Sequence, residues 1–257
     1  MRSQSKYDII CNVEGKQTKG KKMSKWNENA IQNYESKVAN LIAEYSKNPD
    51  FKKLYIGKGN SKTKMVEEAT SAGLTGTCCS SCKGDCRESC YAIVHQDGVY
   101  TKCRENHAMN TVLRRVNRER YYIAFFEYAN IHNRHLRVNE SGDFETCDDV
   151  LTLKNVAEKY PNVRVIGYSK RENLIPYLAI INKLPNVEIH FSVACNGNGA
   201  EGAKNYGVPC AKITLEKSEC NCPAQLAKMN GKVWNCCKCA ELKMGCFANK
   251  NINFLAH

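Results

Sequence analysis

Three stretches decide the fold: Leu136-Arg-Val-Asn-Glu-Ser-Gly-Asp-Phe144, Val163-Arg-Val-Ile-Gly-Tyr-Ser-Lys170 and Val187-Glu-Ile-His-Phe-Ser-Val193. Each opens on a short apolar run rich in β-branched residues and closes on small or polar residues, the pattern of a buried strand running into a loop. Between them, 146–159 and 172–183 carry apolar residues at helical spacing. Strands at 136–139, 163–167 and 187–193 that alternate with helices predict a parallel sheet, because only a crossover brings the chain back in the same direction. A further strand at 211–215 follows a Gly-rich turn. Such crossovers are right-handed, so the strand-to-helix loops share one edge of the sheet, where α/β proteins bind their ligands. Three of those loops carry chemistry: Asn139 to Asp143, Tyr168 to Glu172, and Ser192 to Gly199.

Working outward, residues 7–13 and 54–56 read as strands, and an amphipathic helix runs from about Ser24, a plausible N-cap, to Tyr45. A second helix spans about 104–131. Four or five strands beyond the first cysteines, with one or two before them, fall short of eight. The expected architecture is therefore an α/β fold: a partial or small (β/α) barrel with parallel strands, followed by a cysteine-rich C-terminal metal-binding segment. Three regions are expected: 1–65, a strand-helix-strand region packing on the core; 66–216, the α/β core with the first cysteine cluster; and 217–257, the cysteine-rich segment.

Eleven of the sixteen cysteines fall in two groups, Cys78, Cys79, Cys82, Cys86 and Cys90, then Cys220, Cys222, Cys236, Cys237, Cys239 and Cys246. The opening residues show no apolar export signal, and no apolar run is long enough to span a membrane, so a cytoplasmic setting with reduced thiols is expected. Clustered reduced thiols suit metal. In the first group, Cys86 and Cys90 are expected on the first turn of a helix, whose exposed amides favour thiolates, with Cys79 or Cys82 completing a three-ligand set that leaves a coordination position open. A closed zinc site is the alternative. In the second group, Cys222, Cys236, Cys237, Cys239 and Cys246 are candidate ligands in a polar, turn-rich segment suited to folding around metal, zinc or an iron–sulfur cluster. The net charge of +12 leaves nucleic acid open as a partner, alongside a small-molecule or macromolecular substrate, and no membrane.

The elements Cys86-Arg-Glu-Ser-Cys90-Tyr-Ala, Ser141-Gly-Asp-Phe144 and Tyr168-Ser-Lys170, followed by Cys222-Pro, Cys239 and Cys246, resemble the phage gene-product-88-like family from about residue 77 onward. That resemblance implies a phage or mobile-element origin, hence the host cytoplasm. More broadly, the order of elements is similar to radical S-adenosylmethionine enzymes, which place three cluster cysteines after the first barrel strand and an amine-binding loop after the second. This second resemblance implies an open [4Fe-4S] cluster, S-adenosylmethionine as cofactor, and Ser141, Gly142 and Asp143 at the amine-binding position. The spacing differs: Cys82, Cys86 and Cys90 are each four apart, and Tyr91 follows the last of them.

The residues themselves add candidate roles. Glu140 and Asp143 end a strand, where carboxylates bind an amine or move a proton, or else cap the next helix. Lys170 could meet a substrate carboxylate or phosphate. Together the Ser141-Gly142-Asp143 loop and the Tyr168, Ser169 and Lys170 loop would grip the cofactor. Arg114 and Arg118, on one helix face, could touch cofactor, nucleic acid or water.

Overall fold

The computed structural model describes residues 28–60, 63–71, 90, 92–93, 96, 101–193, 199–214 and 216–255. Six parallel strands stand side by side in chain order. They are β1 (Val66–Glu67), β2 (Leu136–Val138), β3 (Val165–Ser169), β4 (Val187–Ser192), β5 (Cys210–Thr214) and β6 (Ile252–Leu255). An order that never reverses winds the sheet in one direction and stacks its helices on one face, which curls it into half of a barrel.

The helices follow from local chemistry. They are α1 (Glu28–Lys47), α2 (Thr101–Val116), α3 (Arg118–Ile131), α4 (Cys147–Lys159), α5 (Ile175–Ile181), α6 (Ala200–Asn205), α7 (Pro223–Met229) and α8 (Cys236–Leu242). The single helix expected over 104–131 is two, because Asn117 leaves helical geometry at φ −154° and its side chain accepts from the Arg120 amide at 2.9 Å, capping α3. Asp149 caps α4 by accepting from the Glu145 and Thr146 amides. The strand expected at 54–56 is only a bridge between Gly57 and Glu67. The strand expected at 7–13 lies outside the described residues.

Period-two alternation sorts each strand's side chains between two faces. Outward go Val66, Leu136, Val138, Val165, Ile189 and Phe191, buried against Tyr121, Phe125 and Phe126 of α3, Leu153 of α4 and Leu178 of α5. Burying each such side chain contributes about 1.5–3 kcal/mol. A charged network is sealed beneath this layer. Arg114, 1% exposed, donates to the Asp143 carbonyl at 2.8 Å and lies 3.8 Å from Glu68 and 3.9 Å from Asp149. Glu68 also accepts from the Tyr121 hydroxyl at 2.6 Å and the Asn139 amide at 2.8 Å. Arg114 is thus a core tie between α2 and the sheet, and Arg118 closes on Asp149 at 2.8 Å.

Inward go Glu67, Arg137, Tyr168, Glu188 and His190. The β5–β6 crossover, unlike the earlier ones, lies on this concave face. His190 pairs with the Cys246 carbonyl at 2.9 Å, Arg164 donates to the Ala240 carbonyl, and the Cys237 amide donates to the Thr63 carbonyl at 3.3 Å. No described helix is long and apolar enough to cross a membrane.

Candidate metal and cofactor site on the concave face

At the carboxyl ends of β1, β2 and β3, the predicted cofactor loops form a latch. Asp143 is buried; it accepts from the Phe144 amide at 2.7 Å and the Lys170 amide at 2.8 Å, and also bonds the Ser169 hydroxyl. Burial pushes its carboxyl up to about 6, against the pull of those donors. Ser141 donates to the Thr70 carbonyl at 3.0 Å and accepts from Gln96 at 2.9 Å, and Gln96 in turn accepts from the Tyr34 hydroxyl at 2.7 Å. Gly142 sits at φ +84°, and a Cβ there would meet the Thr70 hydroxyl at 2.0 Å. Ser141, Asp143 and Ser169 therefore spend their polar atoms on joining β1, β2 and β3.

Glu140 is the carboxylate of this edge with a partly exposed surface. Burial raises its pKa, Arg137 opposes the rise, and Glu67 and Glu68 add to it. Burial raises the nearby Cys103 thiol and Tyr55 hydroxyl, and the charge of Glu140 adds to both. Cys103, on the first turn of α2, is a neighbour of this edge that sequence spacing did not reveal, since it stands apart from both cysteine groups.

Cys78, Cys79, Cys82 and Cys86 lie outside the described residues, as do Cys195 and His257. The described flanks of the first group both rest on α2. The Ser71 amide donates to Thr111 at 3.0 Å, next to the Thr70 amide's bond to the Ser141 carbonyl, and Cys90 packs with Tyr34, Val38, Ala108 and Val112. Of the described residues on either side of that group, Thr70 and Gln96 both bond Ser141 at the carboxyl edge.

The second group is visible in full, and its six thiols divide. Cys246 lies 3.2 Å from the Tyr168 hydroxyl, and the Trp234 indole N–H donates to Cys239 at 3.1 Å. Cys222, Cys246, Trp234 and Tyr168 share one small apolar cluster with Ala211, Ile252 and Phe254. Burial pushes the Cys246 thiol up to about 12, and the charges of Cys222, Cys236 and Cys239 push the same way. Cys220 turns instead to Gln225, at 3.4 Å, a side chain that ties down β6 through Leu255. Cys237, a predicted ligand, faces the Lys64 carbonyl at 3.4 Å and lines a cavity of about 400 Å³ with His135, Arg164 and Glu241. The ten described cysteines are not joined in disulfides. Among the described residues, no three His, Cys, Asp or Glu side chains are grouped as a metal ion would require. Tyr168, expected in a cofactor loop, belongs to β3 and reaches the cysteine segment.

A family model described as gene product 88 matches residues 25–249. The chain belongs to the gene product 88 family. The match takes in α1 through α8, β1 through β5 and all of the second cysteine group, and stops short of β6, so most of the half-barrel and its cysteine segment lie within a phage-type family. No curated protein and no solved structure matches the chain.

Proposed function

We propose that this gene product 88 protein is an iron–sulfur enzyme. In this reading Cys86, Cys90 and one of Cys79 or Cys82 hold an open [4Fe-4S] cluster at the carboxyl edge of the half-barrel, S-adenosylmethionine is the first cofactor to test, and the C-terminal thiols hold a second metal centre. The single observation that supports it is that the described residues flanking the first cysteine group, Thr70 and Gln96, both bond Ser141 at the sheet's carboxyl edge. That is the edge at which α/β folds do chemistry. When bound, such a cluster supplies one-electron transfer.

The chain's own residues divide the remaining work. Asp143 and Ser169 hold the β2 and β3 loops in register, while Glu140, with its raised pKa and partial exposure, would take an amine or a proton. Lys170, whose backbone amide is held by Asp143, stands on the same edge, where its ammonium would meet an anionic group of the substrate.

The net charge of +12 favours a second reading, a zinc-stabilised nucleic-acid or partner-binding protein without catalysis. Anaerobic purification with iron, sulfide and zinc analysis separates the two. Iron, acid-labile sulfide and a brown chromophore that disappears in Cys90→Ala are expected; colourless protein carrying zinc alone overturns the iron–sulfur reading.

A further inference from the structure

Six thiols are more than one tetrahedral centre can use, and the fold has sorted them. The C-terminal segment crosses the concave face on α7 and α8, helices of seven residues each, too short to be stable alone. Its apolar support is thin: Cys220, Cys222 and Ala224, with Leu226, Trp234 and Cys246 packed alongside, while Val233 and Leu242 stand in solvent. A segment of this kind ordinarily needs a staple.

The staple's position follows from Gly245. Its φ is +55°, and a Cβ there would come within 2.8 Å of the Pro223 ring and 3.7 Å of the Cys239 sulfur. The loop bearing Cys246 is therefore seated between Cys222-Pro223 at the start of α7 and Cys239 on α8. Cys236, three residues before Cys239, shares that face of α8, whereas Cys237 and Glu241 share another and line the cavity beside His135. Two side chains already bond this sulfur group: the Trp234 indole N–H donates to Cys239, and the Tyr168 hydroxyl, which can donate to a thiolate, lies 3.2 Å from Cys246. Donors to sulfur are the outer partners that orient thiolate ligands and tune the metal they hold.

We propose that Cys222, Cys236, Cys239 and Cys246 form one closed four-sulfur metal site, reached from the present arrangement by rotation of the cysteine side chains between staggered positions, with Cys220 and Cys237 outside it. Four protein ligands leave no open coordination position, so this centre fastens the segment to the sheet or passes electrons, and does not bind substrate. The assignment deepens the functional reading above, which placed a second metal centre in this segment, and it holds for zinc and for iron alike.

The test uses the full chain, and the same chain carrying Cys90→Ala, both stripped of metal and titrated anaerobically with Co²⁺. Cys222→Ala, Cys236→Ala, Cys239→Ala and Cys246→Ala should each abolish the intense ligand-field and sulfur-to-cobalt absorption of a tetrathiolate site. Cys220→Ala and Cys237→Ala should retain it. Cys239→His guards against simple misfolding: it should still bind Co²⁺, with the bands shifted as a nitrogen replaces one sulfur. Tyr168→Phe should keep the site but weaken Co²⁺ binding by roughly tenfold. A tetrathiolate spectrum that survives loss of any of the four, or is lost with Cys220 or Cys237, overturns the assignment. Native metal that is lost only with Cys90 sinks this inference and leaves the iron–sulfur reading standing; zinc lost only with the four does the reverse.

Discussion

The two faces of the half-barrel are held by different forces. On the outer face, Phe125, Phe126, Leu153 and Leu178 interlock with the strands in a continuous dry layer. On the concave face, Tyr168, Glu188 and His190 meet a thin segment of short helices and its following loop through hydrogen bonds and thiols. The outer face can fold on apolar burial alone. The inner contact has too little apolar area to do so, which is why its cysteines matter.

The largest test of this contrast lies on the outer face. Phe125 is fully buried, and Phe125→Ala should cost about 3–5 kcal/mol in urea denaturation, because it removes transfer energy and leaves a cavity. A loss under about 1 kcal/mol would mean that the outer layer is not the principal core.

Gly142→Ala comes next, at the latch between the faces. The new methyl would meet Thr70 at a residue with φ +84°, so about 2–3 kcal/mol should be lost by the same measurement, from left-handed strain and the clash together. A near-neutral result would show that the Ser141-Gly142-Asp143 loop is free to move, restoring it as a direct cofactor grip.

Metal removal sharpens the comparison in the opposite sense. Chelation should raise amide hydrogen exchange across 217–251 while the amides of β2, β3 and β4 keep their protection, since the outer layer does not depend on the staple. Equal loss in both regions would break the distinction.

The smallest effect expected, once solvent screening at this partly buried carboxyl is discounted, is a pH dependence at Glu188. Burial lifts its carboxyl from 4.5 to about 7, with the Asn249 and Lys250 amides opposing the rise. His190, 3.6 Å away, is held neutral by burial, and Arg164 and Lys243 line the small cavity beside it. Between those two values the folded chain keeps the proton that the unfolded chain releases, so this group's contribution to stability falls as pH rises from 4.5 to about 7 and is then constant. Glu188→Gln carries no such proton and should gain on the parent across that window in denaturation midpoints. An unchanged difference between pH 4.5 and 7 would mean that the segment leaves Glu188 in water.

Much of the outer architecture was legible because burial on one face imposes a period. The strands at β2 through β5 and the helix at α4 were expected within two residues of where they stand. The misreadings have local causes. The apolar run through 104–131 hid the break at Asn117, although an Asn with an acidic residue two positions later is a usable N-cap signal. β1 is two residues long and leads into Glu68, which looks solvated until Arg114 and Tyr121 are seen beside it. Arg114 read as a residue that could touch cofactor, nucleic acid or water for the same reason: a buried charge and an exposed one share one letter.

By itself, the sequence determined that strands and helices alternate, that the sheet is parallel, and that thiols are concentrated in two segments, because these follow from periodicity and composition along the chain. Tertiary structure alone decided that the last crossover lies on the concave face, that Tyr168 meets Cys246, and that Cys237 turns from the face its neighbour Cys236 shares with Cys239. Adjacent residues on a helix point about 100° apart, and partners tens of residues distant meet only when the sheet has curved, so no spacing rule read along the chain contains that information.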